Sequence, residues 1–372
     1  MTAGPVPFEY EVMPRRVVFG LGAEDRLAGE VDRLTAARVL IIASRDRAVR
    51  LRERLGNHCA GIFTDIRQHV PVEVAASARE LAGQLEVDCV VVCGGGSAIG
   101  LAKAVALDLS VPIVAIPTTY SGSEMTPIWG LTSGRRKQTG RHPGVAPAVV
   151  LYDPALTVGL PARLTASSGM NALAHCVEAL YGPAANPVSA LLATDGIRRL
   201  AVGLEASVRN PADLAARTEA MLGAHLAGTV LAVVGVAIHH QLCHVIGGAL
   251  GLDHADLNAV LLPHTVRFVA PAVPDEMRRV ARALGADDDA AGALWMLARR
   301  LGAPSRLAEL GVPAGELDRI AEAAAARVSP QPRPASAADL RDLLAAAWAE
   351  RQPTAEQPVA AARFAKDVRG EW

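Results

Sequence analysis

Residues 89–109 read Cys89-Val-Val-Val-Cys93-Gly-Gly-Gly-Ser97-Ala-Ile-Gly-Leu-Ala-Lys-Ala-Val-Ala-Leu-Asp-Leu109. Cys89–Cys93 is apolar without interruption, the pattern of a strand covered on both faces. Gly94, Gly95, Gly96 and Ser97 then make a turn that lets backbone N–H groups approach a pyrophosphate at the start of a helix over Ala98–Leu109. The spacing is not G-x-G-x-x-G, because Gly96 and Gly100 are separated by Ser97, Ala98 and Ile99, so this loop alone also admits a tight turn without ligand. A second loop, Pro117-Thr-Thr-Tyr-Ser-Gly-Ser-Glu124, follows the next strand. Its Thr118, Thr119 and Ser123 suit phosphate and nicotinamide contacts at the same sheet edge.

Outward from this unit the first half alternates short β-branched runs with helical patterns. Val39–Ile42 and Pro112–Ile116 read as further buried parallel strands, Val72–Leu85 as a helix, and Tyr10–Phe19 as an extended entry. Such alternation predicts an open α/β sheet with a ligand crevice at the carboxyl ends of its strands. After Asp153-Pro154 the chain turns Ala/Leu-rich and helical, from about Thr165. The expected fold is an α/β N-terminal dinucleotide-binding domain (residues 1–160) plus an all-α C-terminal domain (161–353). Pro330–Pro334 should break the last helices, and 354–372 should be a loosely held tail.

The 372 residues suit two domains, and 51% hydrophobic content describes a packed enzyme core rather than a disordered chain. A net charge of −1 recruits neither nucleic acid nor anionic membrane. Cys59, Cys89, Cys93, Cys176 and Cys243 are odd in number and lack C-x-x-C spacing, which fits reduced thiols in a cytoplasm. No apolar leader is evident at the N-terminus. The apolar run Leu226–Ile238 reads as a buried core helix, too short to span a bilayer comfortably.

The helical half carries Asn171-x-x-x-His175, then His240-x-x-x-His244, with His254 ten residues beyond. Four-residue spacing stacks two side chains on one helix face. Gly247 and Gly248 offer a helix end, after which a short turn could fold His254 back towards His240. Divalent-metal sites are assembled this way, but here an amide, Asn171, stands where a carboxylate would bring charge. His239 should point away from its neighbour as a packed or surface histidine, and His264 should be structural.

Gly94-Gly-Gly-Ser-Ala-Ile-Gly-Leu-Ala-Lys103, Pro117-Thr-Thr, Gly169-Met-Asn-Ala-Leu-Ala-His175 and the His240/His244/His254 set together resemble the iron-containing alcohol dehydrogenase superfamily. The resemblance runs from Arg16 to about Pro334 and includes TTYSGSEMTPIWGLTSGRRK (118–137) and HHQLCHVIGG (239–248). Within the superfamily the chain is most similar to the maleylacetate reductases. Metal-dependent members carry Asp where this chain has Asn171 and Gly100, and a threonine loop one residue longer.

The resemblance implies a homodimer with a cleft between an α/β and a helical domain (dehydroquinate synthase-like architecture). It implies reduction of 2-maleylacetate to 3-oxoadipate by NADH or NADPH in aromatic-compound catabolism. Hydride would reach the alkene carbon conjugated with the ketone and push charge onto the ketone oxygen. His240 and His254, with Asn171 and His175 nearby, are then the expected hydrogen-bond donors to the enolate, and His244 the expected proton donor. His175, His240 and His254 would be ligands only if Fe or Zn bound, which the missing carboxylate disfavours. Arg135-Arg136-Lys137 and Arg141-His142 would by themselves be a solvated turn. The resemblance brings Lys137 and Arg141, together with Tyr120, near the dicarboxylate substrate. Ser44 follows the first strand where an acidic residue often holds the NAD ribose, so use of both nucleotides is expected. The competing readings are a metal-dependent alcohol or polyol dehydrogenase, a dehydroquinate-synthase-type lyase, and a biosynthetic reductase of a related unsaturated keto acid.

Overall fold

The computed structural model describes residues 8–11, 15–134, 136–328 and 332–353; of Arg136 and Lys137 it describes the backbone alone. The expected tail (354–372) and Pro330 lie outside the described residues.

The first half builds a six-stranded parallel sheet from β1 (Arg16–Phe19), β2 (Val39–Ala43), β3 (Cys59–Phe63), β4 (Cys89–Gly94), β5 (Ile113–Pro117) and, later in the chain, β8 (Val149–Tyr152). The spatial order is β1-β8-β5-β4-β2-β3. Between β5 and β8 an antiparallel hairpin, β6 (Ile128–Ser133) and β7 (Arg136–Arg141), stands apart from the sheet. The side-chain period of two divides the strands between two cores. Val39, Ile41, Val91, Cys93 and Ile116 pack with α1 (Leu27–Arg33) and α2 (Arg45–Leu55) on one face. Leu40, Ile42, Val90, Val92 and Ala115 pack with α3 (Val72–Gln84) and α4 (Gly96–Leu109) on the other. Helices therefore change face between β2 and β4, and the chain leaves both strands at the same edge, where an open α/β sheet binds its ligand.

From Ala162 the described chain is helical: α5 (Ala162–Ala179), α6 (Pro187–Arg209), α7 (Leu214–Val234), α8 (Ile238–Leu250), α9 (His254–Val269), α10 (Pro274–Ala283), α11 (Ala290–Arg300), α12 (Leu317–Ala325) and α13 (Ala337–Trp348). α5 is the axis of this bundle, buried without interruption from Thr165 to Ala179. Glycines let α6 and α7 approach closely: a Cβ on Gly203 would lie 2.4 Å from the Ala220 nitrogen.

Two local expectations are corrected. The run Leu226–Ile238 is not one helix: Gly235 (φ 80°) ends α7, and α8 leaves at 94°. That bend orients α8 towards α5. Gly247 and Gly248 do not end a helix either, because they lie inside α8, which stops at Gly251 with the left-handed φ of 69° that glycine tolerates. Among the described residues no single helix is long and apolar enough to cross a membrane.

Candidate active site

The glycine turn closes on the threonine loop through contacts that leave no room for side chains. A Cβ on Gly94 would lie 2.7 Å from the Ala98 Cβ, and one on Gly95 would lie 3.0 Å from Thr119 Cγ2. The Thr118 amide donates to the Gly94 carbonyl at 3.1 Å. No side chain caps the N-terminus of α4, so its amides remain for a ligand, as a dinucleotide pyrophosphate requires. Ser97 is half-buried in the first turn, and Ser44 is exposed at the N-cap of α2, after β2. This cradle fits a nicotinamide dinucleotide.

Ser123 also meets a buried cation. Lys103, fully buried on α4, donates from Nζ to the Ser123 carbonyl (2.7 Å), the Ile128 carbonyl (2.8 Å) and Thr126 Oγ1 (3.1 Å). Ser123 Oγ is 3.4 Å from the same nitrogen. Lys103 thus ties the helix behind one cofactor loop to the end of the other. Burial lowers its pKa to about 7, against the opposing pull of the nearby Glu124.

The helical domain supplies an array of imidazoles. The His175 and His240 rings stack at 4.2 Å with 6° between their planes. The short turn after α8 does bring His254 back: its ring centroid is 5.8 Å from that of His240 and 5.2 Å from that of His244. The array runs from buried His175 and His240 through half-buried His254 to exposed His244. Burial, reinforced by neighbouring imidazoles, holds His175 and His240 well below the usual histidine pKa, so both are neutral at physiological pH.

Asn171 joins this array to the cofactor loops. Its Nδ2 donates to the Ser121 carbonyl at 3.4 Å, and its Oδ1 lies 3.4 Å from His240 Nε2. A Cβ at Gly122 would come within 4.0 Å of His175 Cδ2. Among the described residues, the buried His175 Nδ1 and Ser121 Oγ have no hydrogen-bond partner, leaving polar valence for a ligand where loop and array meet.

The donor set does not fit a divalent metal. Asn171, whose Oδ1 faces His240 Nε2, contributes no charge where a carboxylate would. Among the described residues, no three His, Cys, Asp or Glu side chains are disposed to share an ion.

The expected substrate contacts fare less well. Tyr120 is fully buried, and its hydroxyl accepts from Arg217 (3.3 Å), so it belongs to the core and is not open to a dicarboxylate. The Arg141 guanidinium donates to the Ala232 carbonyl (2.7 Å), satisfying the C-terminal end of α7. Lys137 sits on β7, and its side chain lies outside the described residues, as does Arg135. His239 is buried between Thr265 (3.0 Å) and Asn258 (2.7 Å), and His264 is buried on α9.

Sequence reasoning missed Glu178. It lies one turn beyond His175 on α5, fully buried, with Oε2 2.7 Å from His240 Nδ1. The available signal was a carboxylate at helical spacing from Asn171 and His175 within the apolar stretch Ala172–Leu180.

Residues 14–154 match the iron-containing alcohol dehydrogenase family, and residues 165–348 match the Fe-containing alcohol dehydrogenase family, C-terminal. A maleylacetate reductase of Burkholderia cepacia is 45% identical over 350 residues, covering 93% of this chain and 99% of that protein. Maleylacetate reductase 2 of Cupriavidus pinatubonensis is 46% identical over 358 residues, 95% and 100% of the two chains. The crystal structure of a maleylacetate reductase from Agrobacterium tumefaciens superposes with a TM-score of 0.90 at 43% identity, over 94% of this chain and 100% of that one.

Proposed function

This chain belongs to the iron-containing alcohol dehydrogenase family, and we propose that it reduces the C=C bond of 2-maleylacetate with NADH or NADPH, giving 3-oxoadipate in aromatic-compound catabolism. The observation that carries this reading is the junction at Ser121–Gly122. There a dinucleotide cradle meets an array of neutral imidazoles, with the amide of Asn171 standing where a carboxylate would complete a metal site.

Bound NAD(P)H supplies a hydride to the alkene carbon β to the ketone. The electron pair of the double bond then moves towards the ketone oxygen, which needs donors and not a full cation in a buried site. His240 and His254 donate hydrogen bonds to that enolate, with Asn171 and His175 completing its surroundings. His244, exposed and stacked at 5.2 Å on His254, takes a proton from solvent and delivers it to the α-carbon. Hydride plus proton account for the two hydrogens gained. Neutral imidazoles are preorganised for this task because they donate without requiring a counter-charge.

Cofactor choice follows from Ser44. A hydroxyl at the end of β2 tolerates a ribose 2′-phosphate better than a carboxylate would, and the adjacent exposed Arg45 attracts it, so both nucleotides serve. Lys137 on the β6–β7 hairpin is the proposed partner of a substrate carboxylate. The protein works in the cytoplasm, a reading supported by its five free cysteines, and as a homodimer, which rests on the family resemblance alone. The test is product identification: incubation with maleylacetate and NADH should yield 3-oxoadipate by mass spectrometry. Recovery of unreacted substrate, or of a hydroxy acid from carbonyl reduction, would refute it.

A further inference from the structure

Glu178 is a buried carboxyl group in direct contact with the imidazole array, and it has more hydrogen bonds than a pairing with His240 alone would need. Oε1 accepts the His239 amide (2.7 Å) and lies 3.4 Å from the His240 amide; Oε2 accepts the Ala237 amide at 3.0 Å. These amides form the N-terminus of α8, whose dipole and unsatisfied N–H groups favour an acceptor there. Oε2 also lies 2.7 Å from Nδ1 of His240, and burial raises the Glu178 carboxyl towards its acid form, so the Oε2–H donates to Nδ1 and the side chain that closes the helix end fixes the ring as well.

The other end of the ring is constrained independently. The Ser121 carbonyl can only accept, so the Asn171 amide must present Nδ2 to it and Oδ1 to His240. An oxygen that only accepts therefore faces Nε2, and a hydrogen bond forms there only if Nε2 carries the proton. At 3.4 Å this bond is long, and a better-placed oxygen would replace it.

We propose that Glu178 is a positioning residue for the reaction: with Asn171 opposite, it holds the His240 ring so that Nε2–H is the donor offered to the substrate ketone oxygen. In its acid form the buried Glu178 also brings no negative charge to a site whose reacting charge is negative. The assignment also gives Asn171 a reason to be an amide, since a metal ligand at His240 would need a bare Nε2. The inference rests on the reductase reading for the identity of the oxygen, but not for the state of the ring.

The test combines kinetics with a direct view of the ring. In protein labelled with 15N-histidine, with His240 identified by a His240→Gln difference spectrum, the wild-type Nε2 should be protonated. A bare Nε2 with the proton on Nδ1 alone would overturn the proposal, and this measurement needs no Glu178 variant to fold. In Glu178→Gln no single amide atom can both accept the Ala237 amide and donate to Nδ1, as the acid's Oε2–H does. We expect kcat to fall about 10- to 100-fold, the range typical of losing a side chain that orients a functional histidine. KM for NADH should stay within about twofold of wild type, and the ring should be redistributed between tautomers. A residue serving only to close the helix end would lower the melting temperature and leave kcat and the tautomer unchanged, which would also overturn the proposal. Lack of wild-type turnover with maleylacetate would remove the reaction assigned above, while the spectrum still decides the state of His240.

Discussion

Replacing Lys103 with Met isolates the cost and the benefit of burying a cation behind the cofactor loops. The ammonium is wholly enclosed, and burial lowers its pKa from the ordinary 10.5 to about 7. Between those values the unfolded chain binds a proton here that the folded chain does not, so stability rises with pH across the window and is lost as pH falls through 7. A difference of about 3.5 pH units corresponds to about 5 kcal/mol at roughly 1.4 kcal/mol per unit. Lys103→Met removes that penalty but orphans the Ser123 and Ile128 carbonyls, at about 1–3 kcal/mol each. The two effects largely offset at about pH 6.5, where variant and wild type should unfold within about 3 kcal/mol of each other. At about pH 9.5 the wild type should have gained about 3 kcal/mol on the variant. Urea unfolding followed by circular dichroism at both pH values measures this change. Parallel pH dependence of the two proteins would refute the reasoning.

Three further substitutions probe the site. Gly95→Ala places a Cβ 3.0 Å from Thr119 Cγ2 and parts the two cofactor loops; NADH should bind about tenfold or more weakly in a fluorescence titration, corresponding to at least about 1.4 kcal/mol. Arg141→Ala should cost about 0.5–1.5 kcal/mol of stability through the Ala232 carbonyl while leaving KM for maleylacetate nearly unchanged, whereas Lys137→Ala should raise that KM strongly; steady-state kinetics on the pair separate the two roles. Asn171→Asp puts a carboxylate about 3.4 Å from His240 Nε2 and restores a metal-type donor set. Retention of about one Zn²⁺ per chain after gel filtration, with loss of reductase turnover, is the expected outcome by elemental analysis and NADH oxidation.

The parts of this fold legible in the sequence are those whose signal is local. Cys89–Gly94 and Ile113–Pro117 are apolar at every position through the strand because both faces are covered, and three glycines mark the turn that a dinucleotide needs. β3 was harder to see: Cys59–Phe63 is only half-buried throughout, and its Gly61 accommodates Leu85, packing that belongs to a distant helix. The β6–β7 hairpin escaped because Arg136–Arg141 is polar and lacks alternation. Gly247 and Gly248 look like a helix end as readily as Gly251 does, and only backbone geometry separates them. The imidazole array was anticipated from four-residue spacings, but Glu178 gains its role from the crossing of α5 and α8, which a one-dimensional pattern does not contain. The partners of Arg141 and Tyr120 are hidden from the sequence for the same reason: the helix end and the buried guanidinium that engage them are 91 and 97 residues away.

The central claim is that an array of neutral imidazoles, without a metal, reduces the enone. The most direct test is NADH oxidation with freshly prepared maleylacetate, using enzyme stripped with EDTA and verified metal-free by elemental analysis. Full turnover is expected, unchanged when Zn²⁺ or Fe²⁺ is restored. Activity lost on stripping and recovered with metal would contradict the claim and make His175, His240 and His254 ligands.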